Sequence, residues 1–80
     1  MLNLQRVTMF VAVVDAGSFT AAAAALGQTK AVVSFNVRQL ESELGVTLLL
    51  RSTRRLTLTE AGAVFYQRGV GLLKAAENLQ

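Results

Sequence analysis

The first apolar pattern in the chain has the period of a helix. Apolar residues near the N-terminus recur at three- and four-residue steps, the spacing of one helix face. Gly17 follows and can end this helix in a left-handed conformation. Ser18 then suits the N-cap of a second, short helix, which runs through an alanine-rich stretch to Leu26. The pattern predicts two consecutive helices, the first presenting the apolar face Leu4, Val7, Phe10, Val11 and Val14.

A third helix is predicted after the break at Gly27 and Gln28, with Thr29 as its N-cap and Gly45 at its end. One side of this helix carries an apolar stripe that can pack on the rest of the domain. Its members are Val33, Val37, Leu40 and Leu44. The other side is mixed or polar and is expected to face outward, with Lys30, Ala31, Ser34, Phe35 and Arg38.

After Gly45 the pattern of apolar and polar residues becomes typical of a β-hairpin. The run from Val46 to Leu50 is apolar and partly β-branched, and Leu56–Leu58 alternates between apolar and polar residues. The residues between them are polar and basic, which is typical of a hairpin tip. Thr59 suits the N-cap of a fourth helix, with Glu60 in its first turn. That helix would run to the end of the chain, a length of about 30 Å.

Composition narrows the class of protein. Eighty residues make one small domain, and there is no cysteine or histidine, so disulfides, thiolate metal sites and catalytic histidines are excluded. No signal-type segment or run long enough to span a bilayer is present, so we expect a cytoplasmic protein without membrane contact. The net charge of +3 is compatible with nucleic-acid binding or with ordinary solubility. Oligomerisation is the remaining way for so small a chain to bury more surface.

A short helix, a tight turn and a second helix form a helix-turn-helix. In that motif the second helix enters the major groove of DNA, and its N-terminal part meets the base edges. The amide groups at Thr29 can bind a phosphate, and the basic hairpin can reach the backbone or a minor groove. We therefore predict a mainly α fold: a winged helix-turn-helix of three helices and a two-stranded wing, followed by a long C-terminal linker and dimerisation helix.

The run from Ala21 to Gly62 resembles the N-terminal domain of the LysR-type transcriptional regulators. The matching pieces include the alanine-rich helix, the Leu44-Gly45 pair and the ending Leu58–Gly62, with Gly17–Phe19 upstream. The resemblance implies a homodimeric, double-stranded DNA-binding regulator, tetrameric in some full-length forms, whose small-molecule effector binds a C-terminal domain absent here. It implies a DNA-binding domain over residues 1–58, a linker helix over 59–80, and a chain that is a fragment.

The sequence departs from the family pattern on the DNA-facing side. Lys30 stands where Gln is frequent, Phe35 stands where Arg, Lys or Gln is common, and Leu49 stands where Phe is frequent. These departures leave the class unchanged and concern the operator sequence.

The candidate DNA contacts lie on the third helix and the hairpin. Lys30 can read a guanine edge, contact a phosphate or be solvated. Ser34 can form a hydrogen bond to a base or a phosphate, or it can be a small residue that lets the helix lie deep in the groove. Phe35 is either exposed to a thymine methyl or part of the local core, and Arg38 meets a phosphate or pairs with Glu41 or Ser42. Arg51 is the hairpin arginine expected to be structural. The full set is Thr29, Lys30, Ala31, Ser34, Phe35, Arg38, Arg51, Thr53, Arg54 and Arg55.

The last helix carries apolar residues seven apart, a spacing that favours helix pairing. We predict a homodimer through Phe65, Leu72, Leu73, Ala76 and Leu79. Phe65 can alternatively dock on its own domain, whereas the leucines are expected to lie too far along the helix to be covered. Close packing is a reason for the two helix-weakening glycines, Gly69 and Gly71.

An enzyme and a helical protein-interaction module are the two alternative classes of protein. An enzyme would need carboxylates, lysine or serine, and the acidic residues form no convincing pair, so we expect no catalytic site, no metal and no cofactor. A helical protein-interaction module without DNA binding is the second alternative. It would not need Lys30 and the hairpin arginines together.

Overall fold

The computed structural model of the protein describes residues 2–52 and 55–79, and its elements follow the predicted order. They are α1 (Leu4–Ala16), α2 (Phe19–Leu26), α3 (Lys30–Leu44), β1 (Leu49–Arg51), β2 (Leu56–Leu58) and α4 (Glu60–Asn78). The mainly helical fold with a two-stranded antiparallel wing is confirmed. Across the described residues, no helix combines the length and the apolar character that a bilayer span requires.

Local capping fixes the helix boundaries. The side chains of Ser18, Thr29 and Thr59 each accept a hydrogen bond from a backbone N–H in the first turn of the helix that follows. Gly17 ends α1 with φ of 78°, a left-handed conformation in which a Cβ is strained. These contacts are local in sequence, and each predicted cap is found where the pattern placed it.

The core lies where α1, α2 and α3 meet. The largest fully buried side chains come from α1, α3 and the residue before β1. Val33, Val37 and Leu40 of the predicted α3 stripe are fully buried, and Leu44 is half-buried beside them. The stripe therefore holds α3 on the domain by one side and leaves its other side free. The largest buried residues are Phe10, Leu40, Leu48, Val7, Val13, Val33 and Val37.

The wing is shorter than its apolar run suggested. β1 begins at Leu49, not at Val46, and pairs with β2 in the register Leu49–Leu58 to Arg51–Leu56. The preceding backbone turns to Glu41 of α3, whose Oε2 accepts hydrogen bonds from Leu48 N at 2.7 Å and Leu49 N at 3.2 Å. A side-chain acceptor thus replaces a strand partner at the start of β1.

α4 docks along α1 over much of its length. Phe65 packs edge-on against Phe10 with ring centroids 5.7 Å apart, and Leu73 is half-buried against the core. The expectation that Leu73 lies beyond the reach of the domain is therefore wrong. The reason is Gly69, where an added Cβ would lie 3.2 Å from Val7 Cγ1, so the two helices approach closely. Close packing explains Gly69 but not Gly71, where an added Cβ would meet nothing within 4 Å in this chain.

Candidate nucleic-acid interface

The outer side of α3 is open to solvent. Lys30, Ala31 and Arg38 are exposed, and Phe35 is 58 % exposed, which confirms that this aromatic ring is not part of the core. Thr29 is also exposed and caps the helix by accepting from Val32 N at 3.2 Å. Lys30, Ala31 and Phe35 lie in the first half of α3, the part of a recognition helix that meets base edges, and Arg38 follows one turn later.

A basic cleft runs between α3, the start of α2 and the wing, with a volume of about 430 Å³. Its cations are Lys30, Arg38, Arg51 and Arg55, and none of the described residues that line it is acidic. Such a cleft concentrates positive potential, which attracts a polyanion. The lining also includes four residues with hydroxyl groups, Ser18, Thr20, Ser34 and Ser52.

Three of these hydroxyl residues were not predicted as site residues. The sequence indicated Ser18 only as a cap, and Thr20 and Ser52 were not singled out. Ser52 is engaged within the wing, where its Oγ donates to Arg55 O at 3.0 Å. A chain position alone does not reveal that the first turn of α2 and the hairpin border one cleft, because this depends on how α2 crosses α3.

The acidic residues of α3 are occupied elsewhere, which leaves the cations of its outer side unpaired. Glu43 binds Arg6 Nη1 at 2.7 Å, and Glu41 faces the start of β1. In the part of the chain that the structure describes, no ion pair includes Lys30 or Arg38. The alternative pairing of Arg38 with Glu41 is therefore not formed.

Arg51 holds the wing against the helices. Its Nη1 donates to Ser34 Oγ at 3.2 Å, Nη2 lies 3.8 Å from Glu41 Oε1, and the guanidinium lies 4.5 Å from the centre of the Phe19 ring. Burial lowers the pKa of Arg51, the charge of Arg38 lowers it further, and Glu41 raises it. The group still keeps its proton at neutral pH. These contacts support the structural role predicted for this arginine.

Of the other wing residues predicted to contact DNA, the structure describes Arg55. Arg55 is exposed and lines the cleft, and its backbone N–H donates to Ser52 Oγ at 3.2 Å. Thr53 and Arg54, also predicted to contact DNA, lie outside the described residues.

The candidate dimer residues of α4 divide into two groups. Phe65 and Leu73 pack on their own domain, and Ala76 is half-buried. Leu72 is 42 % exposed and Leu79 is 88 % exposed, and Val64 adds a further exposed apolar side chain. This exposed row is the part of α4 that remains open to a second chain.

The sequence profile described as bacterial regulatory helix-turn-helix protein, lysR family, matches residues 4–63. The chain belongs to this family. It is 49 % identical over 78 residues to the HTH-type transcriptional regulator PtxR of Pseudomonas aeruginosa. It is 51 % identical over 67 residues to the HTH-type transcriptional activator AaeR of Escherichia coli. These matches cover 94 % and 84 % of the chain, and the chain spans about a quarter of each relative's length, 25 % and 22 %.

Solved structures of DNA-binding domains in complex with DNA share the fold. The complex of the BenM DNA-binding domain with catB site DNA matches with a TM-score of 0.94 and 37 % identity, covering 98 % of this chain and 88 % of that one. The complex of the CbnR DNA-binding domain with DNA matches with a TM-score of 0.92 and 34 % identity, covering 96 % and 88 %. The winged helix-turn-helix fold is therefore that of known DNA-bound domains.

Proposed function

We propose that this LysR-family chain binds double-stranded DNA sequence-specifically as part of a transcription regulator. The observation that carries the proposal is the basic cleft, whose Lys30 and Arg38 form no ion pair with any residue that the structure describes. α3 would enter the major groove while the wing follows the backbone or an adjacent minor groove. The BenM and CbnR domains, whose fold this chain shares, are solved in complex with DNA, which supports DNA binding.

The side chains divide into contacts to phosphates and contacts to bases. Thr29 and Arg38 are suited to phosphates, and Lys30 to either a phosphate or a guanine edge. Phe35 can pack on a thymine methyl group, and the small side chain of Ala31 lets the helix lie deep in the groove. On the wing, Thr53, Arg54 and Arg55 are proposed contacts to the DNA backbone or minor groove. Arg51 is proposed to hold the wing against the helices.

The assembly is proposed to be a homodimer through α4. Exposed Leu72 and Leu79 face water in the single chain, and covering them with a second copy removes apolar surface from solvent. In this proposal residues 1–58 form the DNA-binding domain and 59–80 the dimerisation helix. Tetramers and effector binding would belong to a longer protein. The role is binding without catalysis, in the cytoplasm, because the proposed partner is chromosomal DNA.

A salt titration tests DNA binding. The chain is titrated with a pool of random duplexes across a range of salt, where affinity should fall steeply because each phosphate contact releases counterions. Arg38→Ala should weaken binding to all sequences alike and reduce the slope of log K against log salt by about 1 per protomer. Lys74→Ala, at an exposed position of α4, is the matched control and should leave the slope unchanged. Absence of binding at low salt would instead favour a protein-interaction module.

A further inference from the structure

We propose that Ser34 selects the base at one operator position by donating its hydroxyl hydrogen to an acceptor on the base edge, and that Arg51 sets this direction. The proposal rests on the proposed DNA binding. It states that Ser34 is the donor and the base the acceptor in one hydrogen bond of α3. This specifies which base edges suit that contact.

Ser34 occupies a favourable place for reading a base. It lies in the second turn of α3, one helical turn from Lys30 and one from Arg38, and it lines the basic cleft. The side chain is half-buried, so its hydroxyl lies inside the cleft and is not fully exposed to solvent. A group that enters the cleft beside α3 therefore meets this hydroxyl.

The hydrogen bond from Arg51 uses the acceptor side of the hydroxyl. A serine hydroxyl has one hydrogen to donate and two lone pairs, whereas a guanidinium only donates. Arg51 Nη1 donates to Ser34 Oγ at 3.2 Å, so one lone pair is taken. The hydroxyl hydrogen must point elsewhere.

That hydrogen has no acceptor within the described part of the chain. A helical serine or threonine can donate to the carbonyl four residues earlier, as Thr8 does to Leu4 O at 3.0 Å in α1. Ser34 makes no such bond among the described residues, and its one side-chain partner is Arg51. The hydrogen is therefore available to a ligand in the cleft.

Two further contacts position the Arg51 guanidinium beside Ser34. The Phe19 ring lies against it at 4.5 Å, and Glu41 Oε1 lies 3.8 Å from Nη2. Glu41 is fixed in turn by the backbone N–H groups of Leu48 and Leu49. The Ser34 oxygen is thus held beside a guanidinium before DNA arrives, with its hydrogen directed away from that group.

The neighbouring positive charge decides which base edges suit this hydroxyl. Amino groups, adenine N6 and cytosine N4, carry hydrogens and are disfavoured beside a guanidinium. Guanine O6, purine N7 and thymine O4 are acceptors and are favoured. The structure thus predicts that one operator position discriminates acceptor edges from amino edges through Ser34.

The test uses the whole 80-residue chain and duplexes selected by it from a random library. At each position of the selected site, a purine is replaced by its 7-deaza analogue, or a thymine by the analogue lacking O4. For one position, we expect the analogue to weaken wild-type binding about 3- to 10-fold, the range of one neutral hydrogen bond. Ser34→Ala should bind the natural base with the same loss and show no further loss with the analogue. Ser42→Ala, at an exposed serine of α3, should behave as wild type.

A second arm tests Arg51. In Arg51→Met the hydroxyl can turn and accept, so the same position should discriminate less between acceptor and amino edges, while the other positions keep their preferences. Arg51→Lys retains a cation that only donates and should keep the acceptor preference. The Ser34→Ala comparison leaves Arg51 intact, so it stands even where thermal unfolding shows that Arg51→Met is not folded.

Several results would overturn the proposal. One is an equal loss on every sequence for Ser34→Ala, and another is removal of its effect by a neutral methylphosphonate at a single phosphate, which would make the partner a phosphate. Loss of the acceptor preference in folded Arg51→Lys, or its full retention in folded Arg51→Met, would overturn the part assigned to Arg51. Failure of the wild-type chain to select any duplex would instead contradict the proposed function itself.

Discussion

Gly62 in the first turns of α4 offers the sharpest test of how the wing is joined to the last helix. An added Cβ at this position would overlap Leu48 O and lie 3.0 Å from Leu48 C, both of them backbone atoms. The same carbonyl accepts a hydrogen bond from Thr59 N at 3.0 Å, while the Thr59 hydroxyl donates to the adjacent Thr47 O at 2.6 Å. Gly62→Ala therefore forces α4 and the start of the wing apart.

The size of the effect follows from three contributions. Forcing a methyl group into a packed site costs about 1–3 kcal/mol. The weakened hydrogen bond to the Leu48 carbonyl adds about 1 kcal/mol, while alanine favours the helix over glycine by up to about 1 kcal/mol. We expect a net loss of about 1–3 kcal/mol, which lowers the melting temperature by about 5–20 °C in a domain of this size.

Gly71→Ala is the matched control for this prediction. It makes the same substitution in the same helix, at a position where the added Cβ meets nothing within 4 Å. It should raise stability by about 0.5–1 kcal/mol, since only helix propensity changes. The assay is thermal and urea unfolding followed by circular dichroism. A Gly62→Ala protein as stable as wild type would refute the close approach of α4 to Leu48.

Three further predictions concern a tyrosine, the dimer and the operator. Tyr66 donates to Asp15, and this hydrogen bond and partial desolvation raise the pKa of Tyr66 above its ordinary value of 10.0. The resulting stability is present below pH 10 and is lost as pH rises through the folded-state pKa. Absorbance titration of this single tyrosine should show a lower midpoint in Asp15→Ala; an unchanged midpoint would contradict the hydrogen bond. Leu72→Asp should shift sedimentation toward monomer while exposed Gln67→Asp does not, and a persistent dimer would place the interface elsewhere. Phe35→Ala should change which duplexes are selected from a random library, and an equal loss on all sequences would argue against a base contact.

Features decided by neighbouring residues were predictable from the sequence. The caps Ser18, Thr29 and Thr59 act within three residues of themselves, so their pattern is visible in the chain. The apolar stripe and the outer side of α3 follow from helical periodicity alone. These local rules placed the recognition helix and its exposed Phe35 correctly.

Features that depend on contacts between distant elements were not predictable in the same way. Leu73 is covered because Gly69 lets α4 approach α1, and no periodicity within α4 reveals that approach. β1 starts later than its apolar run because Glu41 accepts the hydrogen bonds of the Leu48 and Leu49 N–H groups. Thr20 enters the cleft through the crossing of α2 and α3, which the sequence does not encode locally.

The outward side of α3 has a consequence for retargeting the protein. Lys30, Ala31 and Phe35 are exposed and contribute nothing to the buried core, so new side chains there can change the operator while the scaffold stays intact. Ser34 is the exception, because its hydroxyl is tied through Arg51 to the wing. An engineered library should therefore vary the three exposed positions freely and vary Ser34 only together with Arg51.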